Sequence, residues 1–169
     1  MSILTLATSA IASNRPERPV GDPFLRLQLA EGVNAVFAMQ QVQEVHTLPA
    51  DRLTPLPNLP ACVLGLMNRR NCVLWVVDLA FLLGIANLGA NHQQYNLVIV
   101  RVGELALALA VQHISGFFWM PAEVIQPPHS QFSPLLQTHL QGCAVHEQDI
   151  LLVLSAEAIL HSSLLHTSS

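Results

Sequence analysis

The chain has 169 residues, of which 51% are hydrophobic and only 11% charged, and its formal net charge at pH 7 is −4. Nucleic-acid binding needs a basic surface, so this balance argues against it, and the apolar runs are shorter than the roughly 20 residues of a membrane-spanning helix, so no direct membrane insertion is expected. So few charges favour either very complete burial or an apolar face that a partner covers.

The first segment, residues 1–22, is predicted to be a flexible tail. Its apolar part has no basic residue before it, so it is a poor secretory signal. The three cysteines are odd in number and lack C-x-x-C spacing, which indicates a reducing compartment and small buried thiols. We therefore expect a cytoplasmic protein whose residues 23–169 form the folded part.

Three strands are predicted before the first proline-rich segment. Residues 24–29 alternate apolar and polar side chains, as a half-buried strand does. A second strand is predicted over 34–39 and a third over 41–46. Residues 48–60 then contain four prolines, which cannot donate hydrogen bonds to a sheet, so this segment should cross the surface as an irregular connection.

A hairpin is predicted next, with strands over 64–68 and 72–78 and a turn at 69–71. Asn71 suits that turn because asparagine tolerates a left-handed backbone. Asp78 follows the second strand as a helix N-cap, and the short helix over 79–83 should end at Gly84.

The second half of the chain repeats the first. Residues 48–51 (Leu-Pro-Ala-Asp) return as 120–123 (Met-Pro-Ala-Glu), 72 positions later. After the polar stretch 127–141, where a loop can lengthen at little cost, the offset is 77 and Gly65 matches Gly142. Further strands are predicted over 97–102, 105–111, 114–119, 140–145 and 150–154, with a helix over 156–160.

Ten short strands separated by turns predict an all-β protein made of two small barrels. The repeat suggests one subdomain over about 23–90 and another over about 91–162, with exchange of strands between them allowed. The runs 73–77 and 117–120 are apolar at consecutive positions, so both faces of those strands should be covered. Trp75 and Trp119 lie in these runs and are either core residues or contacts for a partner.

A search for catalytic motifs finds no phosphate loop, no H-E-x-x-H and no G-x-S-x-G. His139 and His146 flank one predicted strand without a cysteine or carboxylate cluster, so surface histidines are favoured over a metal site. Helix capping is likewise favoured over phospho-acceptance at Asp78. We expect neither a metal nor another cofactor.

Arg69 and Arg70 are the most polar point in an apolar neighbourhood. They are either a solvated hairpin tip or a guanidinium fork presented to a carboxylate of a partner. Glu44 alternates with Val42 and His46 on its strand and is either exposed or paired. The residues themselves leave these alternatives open.

At these residues the chain resembles the CheW-like family, the adaptor modules of bacterial chemosensory systems. The resemblance rests on residues 42–45 (Val-Gln-Glu-Val) and on the run from Pro60 to Leu79, where the family pattern is a glycine, two apolar residues, N-L-R-G, an apolar strand and a closing D-L. It extends over residues 23–162. This chain departs from the pattern at four positions: Arg69 for leucine, Asn71 for glycine, Gln112 for an acidic residue and Ser155 for the second closing aspartate.

The resemblance implies two packed five-stranded SH3-like barrels and a non-catalytic adaptor. Such an adaptor couples methyl-accepting chemoreceptors to a CheA-type histidine kinase, contacting the kinase regulatory domain with barrel ends and the receptor's cytoplasmic tip with the groove between barrels. It also implies recruitment to membrane-associated receptor arrays. The doubled arginine and the following Val-Leu-Trp-Val resemble adaptors of pilus-based motility or phototaxis systems. The partner-binding positions are expected to be Val42, Glu44, Gly65, Asn68, Arg69 and Arg70.

Two other functions fit fewer residues. A small-molecule sensor would need a pocket between the barrels, of roughly 300 Å³ or more and with convergent polar groups. An enzyme would need a site built around His139 and His146. A closed interface filled by side chains would eliminate the first, and metal analysis of the purified protein would settle the second.

Overall fold

The computed structural model describes residues 21–166, so the predicted tail lies almost entirely outside the described part. Within that range the chain forms ten strands, three short α-helices and four 3-10 turns. The strands are β1 (Asp22–Ala30), β2 (Val33–Ala38), β3 (Val42–Pro49), β4 (Val63–Arg69), β5 (Cys72–Asp78), β6 (Gln94–Val102), β7 (Leu105–Val111), β8 (His113–Met120), β9 (Leu140–His146) and β10 (Asp149–Leu154). The helices are α1 (Leu79–Leu82), α2 (Pro134–Thr138) and α3 (Ala156–Leu160), and the turns lie at Met39–Gln41, Ala50–Arg52, Ala122–Val124 and Ser163–Leu165.

The strands form two five-stranded sheets, as the expected pair of SH3-like barrels requires. The first sheet has the order β8-β1-β2-β10-β9 and the second has the order β3-β6-β7-β5-β4. We call the first the terminal barrel, since it contains the first and the last strand, β1 and β10, and the second the central barrel. All pairs are antiparallel except β2 with β10 and β5 with β7.

The two barrels are not the consecutive stretches 23–90 and 91–162. The repeat makes β1–β5 equivalent to β6–β10. Each barrel is built from the first two strands of one copy of the repeat and the last three strands of the other copy. The terminal barrel therefore combines β1 and β2 with β8–β10, and the central barrel combines β6 and β7 with β3–β5. Strand exchange is complete.

Buried apolar side chains form three clusters, stacked as barrel core, interface and barrel core. Leu97 and Ile99 of β6 face the core of the central barrel, whereas Val98 and Val100 face the interface. The terminal barrel has its own core around Val36 and other buried residues of β1, β8, β9 and β10. Because both faces of the inner strands are covered, their sequences are apolar at consecutive positions, as expected.

Most local expectations are confirmed. Leu25, Leu27 and Leu29 are buried along one face of β1. The hairpin of β4 and β5 turns at Arg70 and Asn71. Asp78 caps α1, its Oδ1 accepting a hydrogen bond from the backbone N–H of Phe81 at 3.2 Å.

Four expectations were wrong. The strand with the apolar run 117–120 is not covered on both faces, because Phe117 and Trp119 are exposed on the edge strand β8. The polar loop after residue 127 contains α2, whose N-cap Ser133 accepts a hydrogen bond from the N–H of Leu136. Cys72 is exposed, so not all of the thiols are buried. His139 was expected at the surface but is buried. Its ring is satisfied there, since Nδ1 lies 2.8 Å from the carbonyl oxygen of Leu135 and Nε2 lies 2.9 Å from Ser162 Oγ.

Candidate interaction site at the hairpin of the central barrel

The hairpin of β4 and β5 presents its turn residues in a fixed conformation. Arg70 and Asn71 have φ values of 52° and 64°, so both adopt the left-handed backbone of a two-residue type I′ turn. The backbone twist of that turn matches the twist of the two flanking strands, so the turn connects them directly with two residues. The side chain of Arg70 is 74% exposed at the tip.

Glu44 reaches this hairpin from β3, the opposite edge of the same sheet. Along β3 the side chains of Val42, Glu44 and His46 are half-buried, whereas the residues between them are exposed. The register of β3 against β6 shifts between Val42 and Glu44, as at a β-bulge. The carboxylate of Glu44 is thus turned inward, with 17% of the side chain exposed.

Arg69 binds Glu44 through two hydrogen bonds. Its Nε donates to Glu44 Oε1 at 3.2 Å and its Nη2 donates to Oε2 at 2.9 Å, a bidentate geometry. Arg70 Nη2 lies 3.9 Å from the same Oε2, beyond hydrogen-bond distance. These contacts connect two edge strands that are not neighbours in the sheet order.

The charges at this site change the protonation behaviour of both partners. The hydrogen bonds from Arg69 hold the pKa of the Glu44 carboxyl below its ordinary value, against a smaller opposing effect of burial, and the charges of Arg69, Arg70 and His46 act in the same direction as the hydrogen bonds. The hydrogen bond to Glu44 in turn raises the pKa of the Arg69 guanidinium. Glu44 and Arg69 are therefore both charged at neutral pH.

The structure brings together three of the six expected positions: Glu44, Arg69 and Arg70. Asn68 is exposed on the same strand as Arg69, on its other face. Val42 is half-buried and packs against the interface cluster. We call Glu44, Asn68, Arg69 and Arg70 the hairpin-tip surface.

Gly65 is buried, and the backbone that approaches it belongs to this chain. A Cβ at Gly65 would lie 2.6 Å from the carbonyl oxygen of Thr54, which accepts a hydrogen bond from the N–H of Leu66 at 2.8 Å. Gly142 has the same situation in the terminal barrel, where a Cβ would lie 2.3 Å from the carbonyl oxygen of Gln126. The structure therefore gives Gly65 a folding role, and we leave it out of the hairpin-tip surface.

The terminal barrel has no equivalent of the Glu44–Arg69 pair at the repeat-related positions. Gly116 and His146 stand there, and a Cβ at Gly116 would meet no atom within 4 Å. The terminal barrel has a different ion pair, in which Arg26 Nη2 donates to Asp149 Oδ2 at 2.8 Å. No sequence pattern indicated that Arg69 would bind Glu44. The two residues are 25 positions apart, and the repeat does not show that their strands, β4 and β3, lie in contact.

The space between the barrels is filled by the interface cluster, which argues against a sensor pocket there. A cavity of about 310 Å³ lies at one edge of this interface, and its lining is mainly apolar, including Val73, half-buried Trp75 and Leu160. Trp119 is 46% exposed on β8, together with Phe117, so it belongs to no closed core. Another cavity, of about 660 Å³, opens beside β9 between Val124, Phe132 and Val145.

The two histidines that an enzyme hypothesis would need have separate surroundings. His139 is enclosed with Ser162, whereas the ring of His146 packs against Phe118 with centroids 5.0 Å apart. Across residues 21–166, no group of three histidine, cysteine, aspartate or glutamate side chains could hold a metal ion. In the same range no helix is long and apolar enough to cross a membrane.

Exchanged strands, two SH3-like barrels and a charged hairpin tip define an all-β two-barrel module. The family model described as CheW-like domain matches residues 23–164. The chain belongs to the CheW-like domain family.

Relatives and a solved structure agree with this assignment. The chain is 29% identical over 108 residues to a probable chemotaxis protein CheW of Rhizobium etli, covering 63% of this chain and 68% of that protein. It is 25% identical over 158 residues to the chemotaxis protein CheW of Klebsiella aerogenes, covering 93% and 92%. The fold matches a crystal structure of the scaffolding protein TtCheW from Thermoanaerobacter tengcongensis, with a TM-score of 0.70, 19% identity and coverage of 80% of this chain and 90% of that one.

Proposed function

We propose that this chain is a non-catalytic adaptor that couples methyl-accepting chemoreceptors to a CheA-type histidine kinase. The observation that carries the proposal is the match of the CheW-like family model to residues 23–164. Both relatives are named as chemotaxis proteins and the protein of the solved structure as a scaffolding protein, which supports the proposal.

The partners proposed are the regulatory domain of the kinase and the cytoplasmic tip of the receptor. The hairpin-tip surface suits the kinase, since it is a rigid, charged end of a barrel. An apolar groove such as the one beside Trp75 suits a receptor helix, because apolar area supplies affinity and polar rim residues set the register. In this proposal the adaptor works in the cytoplasm, at membrane-associated receptor arrays.

The output of the pathway is proposed to be chemotaxis, phototaxis or type IV pilus motility, with pilus-based motility or phototaxis favoured over flagellar swimming. The support is the doubled arginine Arg69-Arg70 with the Val-Leu-Trp-Val run that follows. Deletion of the gene should then abolish surface motility or directed movement towards light while leaving flagellar swimming unchanged.

Reconstitution tests the coupling. The full chain is mixed with a CheA-type kinase and receptor-containing membranes from the same organism, and kinase autophosphorylation is measured with each component omitted in turn. We expect stimulation only when all three are present. Stimulation that does not depend on the chain would contradict the proposal.

A charge reversal tests where the kinase binds. Arg70→Asp should weaken capture of the kinase while leaving the circular dichroism spectrum unchanged. Glu31→Arg, a charge reversal at an exposed turn of the terminal barrel, is the control and should capture the kinase normally. Normal capture by Arg70→Asp would remove Arg70 from the contact.

A further inference from the structure

The two adjacent arginines of the hairpin tip make different contacts. Arg69 occupies both oxygens of the Glu44 carboxylate and is 33% exposed, whereas Arg70 is 74% exposed. In the described part of the chain, the nearest carboxylate to Arg70 is that of Glu44, at 3.9 Å. Arg70 is therefore a cation that is held close to a carboxylate without being bonded to it.

Free cations are scarce among residues 21–166. All seven of its basic residues are arginines, because the chain contains no lysine. Of the five arginines in the described residues, three donate hydrogen bonds to acidic or amide side chains: Arg26 to Asp149, Arg69 to Glu44 and Arg101 to Gln43. The other two are Arg52, which is exposed in the turn Ala50–Arg52, and Arg70, so an acidic group on a docking protein would find an available guanidinium at the hairpin tip of the central barrel.

Position 69 decides whether Arg70 stays available. If Arg69 were absent, the Glu44 carboxylate would keep its inward position on β3, with Arg70 as the nearest cation. A movement of about 1 Å would bring Arg70 to hydrogen-bond distance. The tip would then have no free guanidinium, even though Arg70 itself is unchanged.

We infer that Arg69 is a positioning residue that occupies Glu44 and so leaves Arg70 free to bind an aspartate or glutamate side chain of a docking protein. The inference rests on the proposed function for the identity of that protein. It names the chemistry of the contact, a guanidinium with a partner carboxylate, and it explains why an arginine stands at position 69, where the family pattern has leucine. Arg69 acts through Glu44 and Arg70 and not through the partner.

The test uses four variants of the full chain. Arg70→Gln removes the proposed contact. Arg69→Leu introduces the residue of the family pattern and lets Arg70 pair with Glu44. The double variant Arg69→Leu with Glu44→Gln removes the competing carboxylate and releases Arg70 again. Arg101→Leu is the matched control, because it removes one arginine from the same barrel and leaves the Glu44–Arg69 pair intact.

A probe that does not depend on the kinase is acetyl-tetraglutamate amide, with acetyl-tetraglutamine amide as the neutral control. Binding is followed by the NMR signal of Arg70 Nε–Hε, and thermal unfolding verifies that each variant is folded. We expect saturable binding of the acidic peptide to the wild type and the control. Affinity should fall about 2- to 5-fold in Arg69→Leu, as for an exposed ion pair. It should return in the double variant, and Arg70→Gln, followed through the backbone N–H signal of Asn71, should bind the acidic peptide no more tightly than the neutral one.

Thermal unfolding of the same variants separates positioning from a merely structural role, since an affinity lost through damaged folding would be accompanied by a lower unfolding temperature. The inference is overturned if Arg69→Leu binds like the wild type, if the double variant fails to recover, or if the neutral peptide binds equally well. Capture of the kinase by the same variants should follow the same order. If the wild type captured neither kinase nor receptor, the proposed function would fail, while the peptide measurement would still decide the role of Arg69.

Discussion

The protonation of Glu44 couples the hairpin tip to pH. Its carboxyl has a pKa below the ordinary value of 4.5 because Arg69 donates two hydrogen bonds to the ionised form. A group whose pKa is depressed by folding stabilises the folded state above its unfolded pKa, and this stabilisation is lost as the pH falls through the folded pKa.

We therefore expect the wild type to lose stability relative to Glu44→Gln as the pH decreases below about 4.5. The free energy of unfolding of both proteins is measured by urea denaturation at several values between pH 7 and pH 3. The difference between them should be largest at neutral pH and should shrink towards acid. A difference that does not change with pH would show that the ion pair contributes nothing to folding.

Gly65 and Gly142 place two backbones in close contact, once in each barrel. Gly65→Ala and Gly142→Ala should each lower the free energy of unfolding by roughly 1–3 kcal/mol, because the new Cβ would overlap a carbonyl oxygen and separate the bridges Thr54–Leu66 and Gln126–Cys143. Gly103→Ala is the control: its Cβ would meet no atom within 4 Å, and it should cost only the roughly 1 kcal/mol of a left-handed backbone.

Thermal or urea unfolding gives the comparison. If Gly65→Ala were no more destabilising than Gly103→Ala, the close packing against Thr54 would not matter for folding, and a direct role for Gly65 in partner binding would return to consideration. The same measurement on a folded Gly65 variant must precede any binding experiment with it.

Among the elements, the repeat-related helices α1 and α3 differ in the number of hydrogen bonds that the side chains of their N-cap residues accept. Asp78 uses both carboxylate oxygens: Oδ1 accepts from Phe81 in α1, and Oδ2 accepts from the N–H of Leu88 at 2.9 Å in the following loop. Ser155 accepts only from Ala158, the equivalent position in α3, at 3.1 Å. Asp78 thus fixes a loop as well as a helix.

We expect Asp78→Ala to destabilise the protein more than Ser155→Ala. Ser155→Ala should cost about 0.5–2 kcal/mol, as a lost N-cap does. Asp78→Ala should exceed that by about 1–3 kcal/mol, because it also leaves the part-buried N–H of Leu88 without its acceptor. The free energies of unfolding of the two variants test this prediction. If both variants lost the same free energy, water would have replaced Asp78 as the acceptor for the N–H of Leu88.

At the scale of the whole molecule, local signals and long-range pairing were predictable to different degrees. The strands followed from alternating side chains and the turns from residues such as Asn71, because these are properties of short segments. The continuous apolar run 73–77 correctly indicated a strand that is covered on both faces beyond its first residue, whereas the run 117–120 did not, because Phe117 and Trp119 are exposed. The repeat showed which strands are alike, but not whether β3 pairs with β1 or with β6, since both choices place the same side chains in similar surroundings. The Glu44–Arg69 contact depends on that choice, so it could not be predicted.

The length of one connection selects the exchanged arrangement. β7 ends at Val111 and β8 begins at His113, so Gln112 alone joins them. A barrel closed within one repeat would place β8 two strands away from β7, about 9.5 Å across the sheet. A link of two residue steps spans at most about 7 Å, whereas exchange lets β8 continue directly onto β1 of the other barrel, where the N–H of Gln112 donates to Gln28.

Neither half of the chain should therefore fold alone. Residues 1–91 and 92–169, divided in the exposed loop before β6, each contain five consecutive strands but only part of each barrel. We expect each fragment to lack cooperative thermal unfolding, and an equimolar mixture to regain it together with the near-ultraviolet circular dichroism of Trp75 and Trp119. The intact protein cleaved at a protease site inserted in that loop is the control, and it should stay folded because both fragments remain paired. A single fragment that unfolds cooperatively as a monomer would contradict this account, since it would show that a repeat can close a barrel with its own strands.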